Sequence, residues 1–210
     1  MPRLVAFGCS YTQGIGLSPD MAGASNTNKS PLAWPQLTAD LLGITCINEG
    51  LGGSSPKATA HKISEFEFQS DDIVVIMWPA RHRWCVLTEE HNDRIVHIYP
   101  GDVEVLDVAK AYYEKCFSDR DSAFMFKAWC IYADTVCKSK ASKVIHTITD
   151  TDGEIDKYTD LVPEVTWITG FRNDPFDRLV LASDGHWAAE CHVPLANKLS
   201  NFINNLELDR

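Results

Sequence analysis

A chain of 210 residues, 45% of them hydrophobic and 23% charged, can bury one substantial core without disulfide staples. Its formal net charge of −10 argues against general binding to nucleic acid or to anionic membranes, since no basic run offsets it. No signal-peptide pattern opens the sequence and no apolar run reaches the roughly 18 residues of a membrane span, so a cytoplasmic protein with no membrane partner is expected.

The first element in chain order is a buried strand, Leu4 to Phe7, closed by Gly8. Residues 14–31 are rich in Gly, Ser, Asn and Pro and read as a long loop, a candidate flap over a site. Trp34 to Leu42 has helical apolar spacing and stops at Gly43. A short strand, Ile44 to Ile47, leads into the glycine-rich turn Asn48–Ser55, and Pro56 starts a helix running to about Phe68. Asp72 to Trp78 is apolar on both faces, as a central strand must be. Residues 91–105 predict a hairpin or irregular excursion. From Val105 to Cys137 two helices are expected, divided near Ser118 and Asp119, the second apolar nearly all round and so well buried. Lys143–Thr149 and Val165–Thr169 read as the last two strands. Ala188–Leu206 closes the chain as an amphipathic helix, with Val193, Leu195, Ala196, Leu199, Phe202 and Ile203 on one face.

Strands alternating with helices predict a single α/β domain over residues 1–210. The expected architecture is a three-layer, flavodoxin-like sandwich with a parallel sheet of about five strands and helices on both faces. Ligands of such sheets lie beyond the carboxyl ends of the strands. Three unusual segments fall there: Gly8-Cys9-Ser10, Asn48–Ser55 and Trp78–Trp84.

A serine on a sharp turn past a buried strand is a weak nucleophile until a base takes its proton. His186 supplies that base in the reading preferred here, with His192 as the rival, and Asp184 can fix the histidine tautomer. The Gly52-Gly53 turn can present a backbone N–H to an oxyanion. The plainer alternatives are a turn serine, a helix-start histidine and an aspartate that caps the last helix. The seven cysteines are odd in number and scattered, which fits reduced thiols in a reducing compartment. Cys191-His192 near His186 lacks any CxxC or HExxH spacing, so no metal site is expected, and a serine nucleophile with a histidine base needs no organic cofactor.

Four blocks in order resemble the SGNH, or GDSL-type, hydrolase superfamily. Gly8-Cys9-Ser10-Tyr11 is similar to the nucleophile block, with cysteine where many members have aspartate. Asn48-Glu49-Gly50-Leu51-Gly52-Gly53-Ser54-Ser55 is similar to the second block, which assigns the oxyanion glycine to Gly53. Asp184-Gly185-His186-Trp187 resembles the last block, one residue shorter than the commonest spacing. The third block supplies an asparagine in the family, whereas Trp78-Pro79-Ala80-Arg81 has none. Arg81 can replace that donor, bind an anionic part of a substrate, or stand as a surface residue. Trp78, Trp84, Trp34 and Trp187 are candidates for an aromatic-lined cleft, Trp78 among the substrate-binding residues. The wording of the first and third blocks is similar to bacteriophage-encoded members, which would place the protein in a host cytoplasm.

The resemblance implies a serine esterase that removes a small acyl group such as acetyl from a small molecule or a glycan. The catalytic residues would be Ser10, His186 and Asp184, with Gly53, Arg81 and Trp78 at the oxyanion and substrate. The competing expectation is a non-catalytic binding or virion-associated module on the same fold.

Overall fold

The computed structural model describes residues 1–17, 29–88, 95–141, 143–148, 160, 162–163, 165–168 and 186–208. The elements are β1 (Arg3–Phe7), α1 (Ser10–Gln13), α2 (Trp34–Leu42), β2 (Thr45–Asn48), α3 (Pro56–Glu65), β3 (Ile73–Trp78), β4 (Trp84–Leu87), β5 (Ile95–Ile98), α4 (Asp107–Lys115), α5 (Asp119–Lys138), β6 (Lys143–Ile148) and α6 (Ala189–Leu208). A 3-10 turn at Pro100–Asp102 joins β5 to the segment before α4.

Local chemistry sets the helix boundaries. Gly43 ends α2 in the left-handed region (φ 66°, ψ 32°), where its N–H can reach the last carbonyls. Ser55 caps α3, its Oγ accepting from the Ala58 N–H, and Pro56 follows at the first turn. Ser118 caps α5 in the same way through the Asp121 N–H at 3.1 Å, dividing α4 from α5 where the sequence predicts.

Four strands form a parallel sheet in the order β2-β1-β3-β6. β1 and β3 are its interior strands, and every residue of β3 is buried. Alternate side chains feed two cores. Val5, Phe7, Val74, Ile76 and Trp78 meet Ile63 of α3 and Phe126, Cys130 and Ala133 of α5 on one face. Leu4, Ala6, Val75 and Met77 meet Trp34 and Ala39 of α2 and Leu195, Leu199 and Ile203 of α6 on the other. This is the expected three-layer arrangement, with four strands in the sheet. The segment at 165–168 adds a parallel bridge, Trp167 to His146, beside β6. Thr169, the end of that expected strand, lies outside the described residues, as do residues 18–28 of the expected flap. The excursion after β3 is an antiparallel pair, β4 with β5, which begins earlier than the sequence predicts.

Two packing expectations are corrected. α5 is not buried all round: Phe124 is 68% exposed, and Ile131 and Tyr132 are exposed as well. One face of the helix has the sheet to pack on, while among the described residues the opposite face has no such partner, whatever its composition. Val193 likewise is exposed on α6, off the stripe that carries Leu195 and Leu199. Among the described residues no helix is long and apolar enough to cross a membrane.

Candidate active site

β1 passes into α1 through Gly8 and Cys9. A Cβ on Gly8 would run into the Thr12 hydroxyl and stand 2.7 Å from the Met77 carbonyl oxygen at the end of β3, so glycine is what lets the chain turn there. Cys9 is wholly buried, and its carbonyl accepts from the Thr12 and Gln13 N–H groups at 3.0 Å each. Its side chain therefore belongs to the core. Ser10 opens α1 and keeps 5% of its surface exposed. Among the described residues neither its hydroxyl nor its N–H makes a hydrogen bond.

The glycine-rich turn after β2 is clipped onto this serine turn. The Leu51 N–H donates to the Gly8 carbonyl at 2.9 Å. The Asn48 amide donates to the Thr12 carbonyl and the Gly52 N–H to Gln13 Oε1, both at 2.7 Å. A Cβ on Gly50 would collide with the α1 backbone at Gln13, and the Lys29 ammonium holds the Gly50 carbonyl from the other side. Burial, with Lys62 adding to it, pushes Lys29 down to about 8. At the end of the turn Gly53 adopts φ 72°, and its N–H has no partner among the described residues.

The Gly53 carbonyl accepts from the Tyr99 hydroxyl at 2.8 Å. Tyr99 follows β5, and its N–H is bound by the Asp102 carboxylate at 3.0 Å. Burial pushes its phenol up, against the pull of Arg83, so it stays a neutral donor at ordinary pH. Nothing in the sequence around Tyr99 marks this contact, which joins segments far apart in the chain. The one hint is the close approach that Gly53 permits.

The last motif is brought to the first by aromatic packing. The Tyr11 ring, next to Ser10, lies 5.8 Å from the His186 ring and 4.7 Å from Trp187. His186 is half-buried just before α6, at the side of the Ser10 turn. Asp184 lies outside the described residues. The rival histidine has other work. His192 is wholly buried, its Nδ1 accepts from the Trp34 N–H at 3.0 Å, and burial pushes it down to about 4. It satisfies the first turn of α2 and ties α6 to that helix.

Trp78 is corrected to a core residue. It is wholly buried, and its indole N–H donates to His146 Nδ1 at 2.9 Å. His146 must then carry its proton on Nε2, which faces Asp134 Oδ1 at 3.3 Å, while the other Asp134 oxygen takes Lys138 at 2.8 Å. Burial pushes His146 down, against the pull of Asp134. Burial alone would raise the Asp134 carboxyl, but bonds from His146 and Lys138 hold it below its ordinary value. Trp34 is also wholly buried and Trp187 nearly so, leaving Trp84 as the half-buried member of the expected aromatic cleft.

Arg81 turns towards the start of α5. Its guanidinium donates to the Asp119 carbonyl at 2.8 Å and to Asp119 Oδ1 at 3.2 Å, and its own carbonyl accepts from Ser122. Among the described residues no cluster of His, Cys, Asp or Glu is placed to hold a metal ion.

No protein-family model and no characterised protein sequence matches the chain. Solved structures do. A member of the lipolytic G-D-S-L family from Veillonella parvula is 14% identical with a TM-score of 0.53, over 94% of this chain and 96% of its own. An aryl esterase from M. smegmatis is 15% identical with a TM-score of 0.53, over 98% of this chain and 100% of its own. An acetyl xylan esterase from Butyrivibrio proteoclasticus is 13% identical with a TM-score of 0.56, over 97% of this chain and 63% of its own. The chain has the fold of the SGNH, or GDSL-type, hydrolases.

Proposed function

We propose that the protein is a serine esterase of the SGNH type, hydrolysing a small acyl ester such as an acetyl group carried on a carbohydrate. The observation that carries this reading is the meeting of three motifs: the Ser10 turn, the Gly53 turn clipped onto it, and His186 packed against Tyr11. His186 takes the Ser10 proton as Oγ attacks the ester carbonyl. The Ser10 and Gly53 N–H groups, both without partners among the described residues, hold the resulting oxyanion. The tetrahedral species collapses, the C–O bond to the alcohol breaks, and His186 returns the proton to the leaving oxygen. Water then attacks the acyl-enzyme through His186, releasing the acid and restoring the Ser10 hydroxyl. Asp184 fixes the His186 tautomer in this scheme. Arg81 stays outside the hole, held by Asp119.

The experiment is hydrolysis of a chromogenic acetyl ester together with labelling by a serine-reactive phosphonate. Activity lost in Ser10→Ala and His186→Ala, with a single adduct on Ser10, supports the esterase. A folded wild-type chain that neither hydrolyses nor reacts sinks it. One observation favours the second reading, a binding module: the third block offers no asparagine and Arg81 is already engaged, so among the described residues the proposed hole has two backbone donors. The same assay decides between the two.

A further inference from the structure

Lys57, Arg81 and Arg83 line a shallow groove open to solvent, with Trp84, Tyr112 and Trp129 in its walls. In a chain of net charge −10, cations drawn together from α3 and from the β3–β4 loop run against the overall charge. Arg81 is answered by the Asp119 carboxylate at 3.2 Å. Lys57 and Arg83 face no carboxylate among the described residues. The Lys57 ammonium donates to the Cys85 carbonyl at 3.3 Å and lies 5.1 Å over the Trp84 ring. The Arg83 guanidinium lies 5.7 Å over the Tyr99 ring. Both side chains are half-buried. Ring faces offset only part of the hydration a half-buried cation gives up, and an anion would supply the rest.

The groove adjoins the proposed hole. Lys57 follows Pro56 at the start of α3, just after the glycine turn, and the Tyr99 ring beneath Arg83 donates its hydroxyl to Gly53. Trp84 and Tyr112 stack at 5.4 Å and 12°, giving the groove a flat wall. Resting on the esterase reading for its place beside Ser10, we propose that this groove is the subsite for a negatively charged group of the ester substrate. The anion is a carboxylate, sulfate or phosphate, bound by Lys57 and Arg83 with the apolar face of the same substrate against Trp84.

The test uses two aryl acetates of one shape, 4-acetoxybenzoate and its neutral amide, 4-acetoxybenzamide. The measured quantity is the ratio of their kcat/KM values, so differences in intrinsic reactivity cancel between variants. The Lys57→Gln/Arg83→Gln protein is expected to lose about tenfold or more of the preference for the anionic ester, through its KM. Lys57→Arg, which keeps the charge, is expected to keep the ratio. A ratio unchanged in the double variant, or lost equally in Lys57→Arg, overturns the subsite. Calorimetric titration of the Ser10→Ala protein with 4-acetoxybenzoate separates this inference from the reading it rests on. Binding that weakens on removal of the two cations, in a wild-type chain that hydrolyses neither ester, upholds the subsite and removes the esterase. Hydrolysis of both esters with an unaltered ratio removes the subsite and leaves the esterase.

Discussion

Gly53→Ala tests how the proposed oxyanion turn is held. Gly53 sits at φ 72°, where a residue with a Cβ is strained by roughly 1–2 kcal/mol. The added methyl would overlap the Tyr99 hydroxyl and stand 3.0 Å from Cζ, so the ring has to retreat. Retreat gives up the 2.8 Å bond to the Gly53 carbonyl, worth about 1 kcal/mol. The two together come to about 2–3 kcal/mol, or a fall in Tm of roughly 5–10 °C for a chain of this size. Tyr99→Phe alone forfeits only the bond, about 1 kcal/mol. In the double variant the hydroxyl that collides is gone, so the two losses should fall short of their sum by about 1 kcal/mol. Urea denaturation of the four proteins gives the coupling. Turnover of an acetyl ester should fall about 100-fold in Gly53→Ala, as when one oxyanion donor is displaced. Losses that add within about 0.3 kcal/mol would refute the argument, because Tyr99 and Gly53 would then be energetically independent.

His192 gives an acid-sensitive stability. Its folded value, about 4, lies below the ordinary histidine value, so the neutral form is favoured in the fold. That contribution is complete above about pH 6.5 and is lost as pH falls towards 4, by at most ~3 kcal/mol. His192→Asn keeps an acceptor for the Trp34 N–H and should flatten this part of the stability–pH curve; equal slopes in variant and wild type would contradict the assignment. Arg81→Ala should cost about 1 kcal/mol of stability through the lost Asp119 contact and leave turnover nearly intact. A loss near 100-fold in kcat at constant KM would instead return Arg81 to the oxyanion hole. Trp78→Phe leaves the buried His146 Nδ1 without its donor and should destabilise by about 1–3 kcal/mol, with activity per folded molecule kept. A variant as stable as wild type would show that the indole bond contributes nothing.

The strands and helix ends were legible because their signals are local. The apolar run of β3, the glycine after α2 and Ser118 before α5 each act through near neighbours. Ser10 and Gly53 were legible as turn residues for the same reason. What the sequence hid is what depends on distant partners. Trp78 looks like an aromatic at a strand end, and only His146 on β6 makes it an interior donor. His192 looks like a second candidate base, and only the α2 backbone takes it out of that role. Tyr99 carries no motif at all, because its significance lies in a carbonyl on another loop. The apolar composition of α5 misled for a geometric reason: a helix against one sheet can bury only one side.

The contact between Tyr11 and the His186–Trp187 segment spans nearly the whole chain. The Ser10 turn follows the first strand of the fold, and the proposed base stands just before α6. The two meet when α6 docks beside α2, a closure that spans most of the described fold. Such long-range closure slows folding and makes the proposed site depend on α6. On the esterase reading, an activity assay would thus also report the docking of α6, silent for a variant in which that helix is undocked even with its sheet intact.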